Sequence, residues 1–225
     1  SCTCHREQTQ AKKEKEVKKS DVKVEFVRFE KELFASNPNN IDAELQKLQT
    51  KYPTFYNVFY NQVLSVPAVG AKDIQLKMMQ DFITNKYNIG LYDSVQQQYA
   101  NLDFLKEELQ EAFANYKSYF PEKPTPKVVT CISDFTITAF TITDSIIGIS
   151  LDMYLGEKYI YYADVFKEYT FMIPTFEKKY IAIDCANVLA KNLVAVPDDK
   201  STLLDKMLAE GKILYFIQSV LPSRK

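Results

Sequence analysis

The sequence predicts an α+β fold, in which a single, mainly helical domain packs against a small, largely antiparallel β-sheet. Three observations lead there. Apolar residues recur at helical spacing through most of residues 41–119 and again towards the C-terminus. Between these stretches, residues 127–155 hold strand-like runs rich in Val, Ile, Thr and Phe, with a polar break between them. Glycine is scarce, with 5 residues in 225, which argues against a turn-rich sandwich or barrel. With 46% hydrophobic and 25% charged residues, the chain has the balance of a folded protein and the length for one sizeable domain.

Residues 1–20 read as a flexible linker, because E-Q-T-Q-A-K-K-E-K-E-V-K-K-S has no apolar face to bury. It carries Arg6, Lys12, Lys13, Lys15, Lys18 and Lys19 against Glu7, Glu14 and Glu16. The globular domain is expected over 21–225. A strand over 22–29 opens it, with Val22, Val24 and Phe26 on one face. Asn39 and Asn40 precede a helix striped by Ile41, Leu45 and Leu48, and Pro53 ends it before a short aromatic helix reaching about residue 64. A helix over 71–86 presents Ile74, Met78, Phe82 and Ile83. The longest helix is expected over 93–119, striped by Leu102, Leu105, Leu109, Ala112, Phe113 and Tyr116. P-E-K-P-T-P stops it. Strands over 128–133, 135–141 and 145–151 follow as a meander. Helices over 174–193 and 201–221 complete the domain, the last one capped by Ser201. The density of threonine over 135–143 has no explanation in the pattern.

Composition narrows the function. A net charge of -1 gives the chain no electrostatic reason to seek nucleic acid. No run approaches the roughly 20 apolar residues of a membrane helix. No apolar leader opens the sequence, and any such peptide is expected to have been removed. There is no phosphate-binding glycine loop and no G-x-S-x-G. The single histidine, His5, lies in the linker, so Ser-His and Cys-His nucleophile pairs and the usual zinc hydrolase site have no histidine in the folded part. No cofactor is expected.

Four cysteines are present. Cys2, Cys4 and His5 are spaced too tightly for structural zinc, and no second ligand pair follows. Exposed inert thiols are a second reading. The favoured one is a bacterial lipoprotein N-terminus, cut after a small residue such as Ser1, with acyl chains on Cys2; Cys4 fits less well. Basic residues in the linker would then lie against an anionic leaflet, or serve only as a solvated spacer. Cys131 and Cys185 read as buried thiols, and the sequence leaves open whether they pair.

Two acidic positions invite a chemical reading. Glu210 in A-E-G-K-I-L-Y-F follows a helix bearing I-D-C-A-N-V, with Asp184 and Asn187. In some zinc peptidases a helix with H-E-x-x-H precedes a helix that supplies a glutamate ligand. The comparison suggests a degenerate, zincin-like scaffold that has lost its metal site, leaving Asp184, Asn187 and Glu210 as vestiges. The plainer reading is an ordinary helix pair. Neither supports hydrolysis. Asp152 in S-L-D-M-Y-L-G is either a ligand or partner contact at a strand end or a helix or turn cap leading into Met153-Tyr154-Leu155, and the cap is preferred.

Several strings taken together resemble one family. They are S-L-D-M-Y-L-G at 150–156, L-L-D-K-M-L-A-E-G-K-I-L-Y-F at 203–216 and V-E-F-V-R-F at 24–29. Tyr52-Pro53, Tyr119-Phe120-Pro121 and Pro126-Lys127-Val128 add to them. The chain resembles the gliding motility-associated lipoproteins called GldB. The resemblance implies a lipoprotein held to the outer membrane, facing the periplasm, and tied to gliding and its protein secretion machinery. It places the lipid on Cys2 and carries over no catalytic residue. It also implies a further helical segment after Leu221-Pro222, where this sequence has Ser223-Arg224-Lys225. The function expected is a non-catalytic, lipid-anchored accessory subunit of an outer-membrane machine. Its partners would be envelope proteins of a gliding, secretion or outer-membrane assembly complex, with no nucleic acid. The alternatives are a residual metallopeptidase-like hydrolase and a periplasmic peptide- or glycan-binding module.

Overall fold

Four short strands carry the architecture, and helices lie on both of their faces. The computed structural model describes residues 16–66, 72–194 and 201–224. β1 (Phe26–Arg28) runs directly into α1 (Phe29–Phe34). α2 (Ile41–Lys51) stops at Tyr52, whose φ of -131° and ψ of 54° leave the helical region just before Pro53. Pro53 then takes the first position of α3 (Pro53–Val58), where its missing N–H costs nothing. α3 widens into a π-helical turn over Phe59–Val63. α4 (Lys72–Thr84), α5 (Lys86–Gln98) and α6 (Asp103–Tyr119) follow. β2 (Lys127–Cys131), β3 (Ala139–Ile142) and β4 (Ile146–Ser150) come next. Short α7 (Tyr162–Val165), then α8 (Ile181–Leu193) and α9 (Leu203–Val220) end the chain.

The α+β class is as expected, and the sheet corrects its detail. Its order is β1-β2-β4-β3. β1 pairs with β2 and β2 with β4 in parallel, while only β3 and β4 are antiparallel. The sheet is therefore mixed rather than largely antiparallel, and the meander is absent. The tight turn at Thr143, which has a φ of 55°, makes a hairpin of β3 and β4. The 132–138 loop carries the chain past β4, so β3 becomes the edge strand and β4 lies beside β2.

Burial explains why alternation was a poor guide. Val128, Ile132, Ile147 and Ile149 face a core built with Leu91, Val95, Leu105, Leu109, Phe113 and residues of α8 and α9. Val129, Cys131, Phe140 and Ile142 face a second core with Phe29, Phe55, Phe59 and Met79. A strand covered on both sides is apolar at every position. Val22 and Val24 are buried on alternate positions as expected, though pairing begins only at Phe26.

Three helix boundaries also differ. The helix expected over 93–119 is two, because the chain breaks between Tyr99 and Leu102. The Tyr99 carbonyl there accepts from Arg28 Nη1 at 2.9 Å, and its ring enters the core. Pro174 sits in a 3-10 turn, Thr170–Thr175, and α8 starts only at Ile181. Thr202, not Ser201, caps α9, in a reciprocal capping box with Asp205. The threonines of 135–143 now have a role, since they satisfy loop groups. Thr136 Oγ1 donates to the Ser133 and Val63 carbonyls, and Thr141 Oγ1 to Asn192 Oδ1.

Gly148 is required where it stands. It faces Phe140 across the β3–β4 pair, and a Cβ there would come within 2.2 Å of the ring. Gly148→Ala should therefore destabilise the protein by about 1–3 kcal/mol through overpacking. Combining it with Phe140→Ala should cost less than the sum of the two single changes. Thermal melts followed by circular dichroism check both statements; additive losses would refute the contact.

Candidate functional site

Parallel pairing brings the carboxyl ends of β2 and β4 together, and a fully buried carboxylate lies there. Asp152 follows β4 in a 3-10 turn, Leu151–Tyr154, and is fully buried. One carboxylate oxygen accepts from the Ser133 N–H at 3.0 Å and the other from the Phe135 N–H at 2.8 Å. Asp134 and Phe135 make this possible with consecutive left-handed backbones, φ 55° and 61°. Successive N–H groups in such a turn form a concavity suited to an anion.

The residues after Asp152 are gripped as well. Tyr162 donates its hydroxyl to the Asp152 carbonyl at 2.6 Å, and the Tyr162 hydroxyl oxygen accepts from the Leu155 N–H at 2.9 Å. Tyr154 donates to Asp184 Oδ2 at 2.6 Å. The Tyr154 carbonyl accepts from the Tyr99 hydroxyl and from Gln98 Nε2. Gly156 closes the string at a φ of +98°, a backbone state that glycine tolerates. S-L-D-M-Y-L-G is thus a scaffold element between the sheet, α5 and α8.

Burial sets the charges. It pushes the Asp152 carboxyl up to about 6, against the pull of the Phe135 and Ser133 N–H groups. Burial also raises the Asp184 carboxyl, against the Tyr154 hydrogen bond and the charge of Lys191. Beside this region a cavity of about 200 Å³ opens between the π-helical turn and the 133–136 loop. It is lined by Val63, Val66, Met79 and Phe82, with Ser133 and exposed Asp134 at its polar side.

Asp152 is therefore neither a partner contact nor a cap of its own turn, because its carboxylate reaches back to the 133–135 loop. Asp184 and Asn187 lie half-buried on α8, and Glu210 is exposed on α9. α8 and α9 pack together. Yet Asp184 spends its hydrogen bond on Tyr154, and no group of three His, Cys, Asp or Glu side chains among the described residues is placed to hold a metal. Cys2, Cys4 and His5 fall outside the described residues. Cys131 and Cys185 are both free, buried thiols rather than a bridge. The sequence reading missed Ser133, Tyr99, Tyr154 and Tyr162. The signal for the tyrosines was their abundance, 15 in all, since a buried tyrosine needs a hydroxyl partner.

Fold and site together define a helix-rich α+β domain whose buried acids are engaged in internal hydrogen bonds. A model of the family described as gliding motility protein GldB matches residues 10–225, and the chain belongs to that family, one of envelope lipoproteins connected with gliding motility. No curated protein and no solved structure matches the chain.

The raised Asp152 carboxyl has a signed consequence. An aspartate near 3.9 when unfolded and about 6 when folded favours the folded state below the lower value and loses that contribution as pH rises through the higher one. Asp152→Asn should therefore cost more stability at pH 4 than at pH 8, by on the order of 3 kcal/mol. Urea titrations of both proteins at the two pH values read the difference; a penalty that grows with pH would contradict the assignment.

Proposed function

We propose that this protein is a non-catalytic accessory subunit of an outer-membrane machine, serving gliding motility and the protein secretion tied to it. A lipid on Cys2 holds it to the periplasmic face of the outer membrane. The observation that carries this reading is membership of the GldB family over residues 10–225. Two features support it. The 6–15 segment is polar, with Arg6, Lys12, Lys13 and Lys15 against Glu7 and Glu14, suited to a spacer between a lipid and a folded body that begins by Val17, whose N–H donates to Ser118 Oγ at 2.9 Å. The acids that could have served chemistry, Asp152 and Asp184, instead bind backbone N–H groups and a tyrosine hydroxyl. Residual hydrolase activity would need them elsewhere.

The test is made in the native host. Cys2→Ser should move the protein from the membrane to the soluble envelope fraction and abolish gliding, whereas Cys4→Ser should leave both unchanged. Mass spectrometry of the wild-type N-terminus should show acyl chains on Cys2. Affinity purification from mild-detergent membranes should bring down outer-membrane barrels and other lipoproteins. An unmodified N-terminus together with a solitary protein would overturn the proposal.

A further inference from the structure

α9 is apolar on both sides. Ala209, Ile213, Phe216 and Val220 face the core, as an ordinary amphipathic helix requires. On the other side Leu203, Leu204, Met207, Leu208 and Leu214 are exposed by between 54 and 76%, and Tyr215 is exposed beside them. These outer residues are not scattered. Leu204, Leu208, Gly211, Tyr215 and Gln218 follow one another at steps of four and three, the spacing of a helix-to-helix seam, with Met207 and Leu214 beside them. Gly211 stands at the middle of that seam, with nothing within 4 Å of the place its Cβ would occupy. A second backbone can therefore come close there.

Charge and placement decide what covers this face. α9 carries Asp205, Lys206, Glu210 and Lys212, a balanced set with no net attraction for an anionic bilayer. No helix among the described residues is long and apolar enough to cross a membrane. The large exposed side chains of α9 lie together along one helix face rather than singly, the pattern that marks an interaction surface. A two-fold pairing buries the same patch on both copies.

We infer that α9 is the interface of a parallel homodimer. Glu210 and Lys212 flank the seam on opposite sides, 2 residues apart. A two-fold axis parallel to the helix sets the flank of one copy against the opposite flank of the other, so Glu210 meets Lys212. An antiparallel pair would set Glu210 against Glu210 and Lys212 against Lys212. The parallel arrangement is the one with complementary charge. This dimer does not depend on the lipid or on any role in gliding.

The experiment uses the full chain with Cys2→Ser and Cys4→Ser, which removes acylation and linker cross-links. Sedimentation equilibrium should give twice the 26.0 kDa monomer mass at micromolar concentration. Leu208→Glu and Leu214→Glu, both at exposed positions, should each raise the dimer Kd at least about 30-fold, a hot-spot loss, while leaving the circular dichroism spectrum unchanged. In the same background Leu204→Cys should form a disulfide between copies. In an antiparallel pair the two introduced thiols would lie about 20 Å apart along the axis and would not meet. A monomer at all concentrations, or a dimer indifferent to Leu208→Glu, would overturn the interface. Absence of the Leu204→Cys cross-link would overturn its parallel sense. A protein that stays monomeric but binds anionic phosphatidylglycerol vesicles through Leu208 would show that lipid, not a second copy, covers the face.

Discussion

Everything after β2 depends on the carboxylate of Asp152. The sheet places β2 and β4 side by side in parallel, so the chain must leave β2, pass β4 and return as an edge strand. That detour needs two consecutive residues, Asp134 and Phe135, in a left-handed backbone, which ordinary residues adopt at a cost. The Asp152 carboxylate offsets it by binding the N–H groups that the turn exposes inside the protein. Without that acceptor the Ser133 and Phe135 donors would be buried and unsatisfied, and the loop would rest on the Thr136 and Ser133 hydroxyl bonds alone.

Three other buried or half-buried groups settle by the same logic with different partners. Glu30 has no exposed surface, and its carboxylate is met by Arg28 Nε at 2.6 Å and by Thr130 Oγ1 at 2.6 Å. Arg28 also reaches the Tyr99 carbonyl and Gln96 Oε1, so one guanidinium links β1, α1 and the end of α5, and Glu30 carries the link on to β2. Asp184 takes the Tyr154 hydroxyl. Burying such groups is not in itself stabilising, since the lost hydration is comparable to the attraction gained. Their effect is on register. Arg28, Glu30 and Thr130 meet only when Arg28 pairs with Thr130, as observed, and a one-residue slip would leave a bare carboxylate in the core.

What the sequence disclosed follows the range of the interactions. The stripes of α2 and α6 and the strings of the family resemblance are local, and they led to the right class and to the family, whereas the α4 stripe was misread, since Ile74 and Met78 are exposed and Met79 and Ile83 are buried. Strand order is not local. β2, β3 and β4 read as a meander because three neighbouring apolar runs are most simply joined that way, and full burial removed the alternation that might have said otherwise. The break at Tyr99 was hidden for a related reason. Its helical pattern continues unbroken, and only Arg28, 71 residues away, takes the freed carbonyl. The candidate site shows the same division. Asp152 and Asp184 stood out as acids in apolar strings, whereas their partners, Ser133, Phe135 and Tyr154, are unremarkable in sequence and are fixed by the fold.

The two faces of α9 bear on how the protein would work at a surface. A free domain with a lightly self-complementary helix associates only as far as its concentration allows. Two copies tethered to one bilayer are confined to a thin layer, and that raises their effective concentration without any new contact. A two-fold axis along α9 also leaves both N-terminal segments at the same height along that axis, so two lipid anchors can enter one leaflet while the seam is closed. The α9 interface, closed in solution at micromolar concentration, would thus open on dilution there and stay filled on the membrane. Assembly would then report attachment, and the outer face of α9 would be exposed chiefly on copies that have yet to reach it.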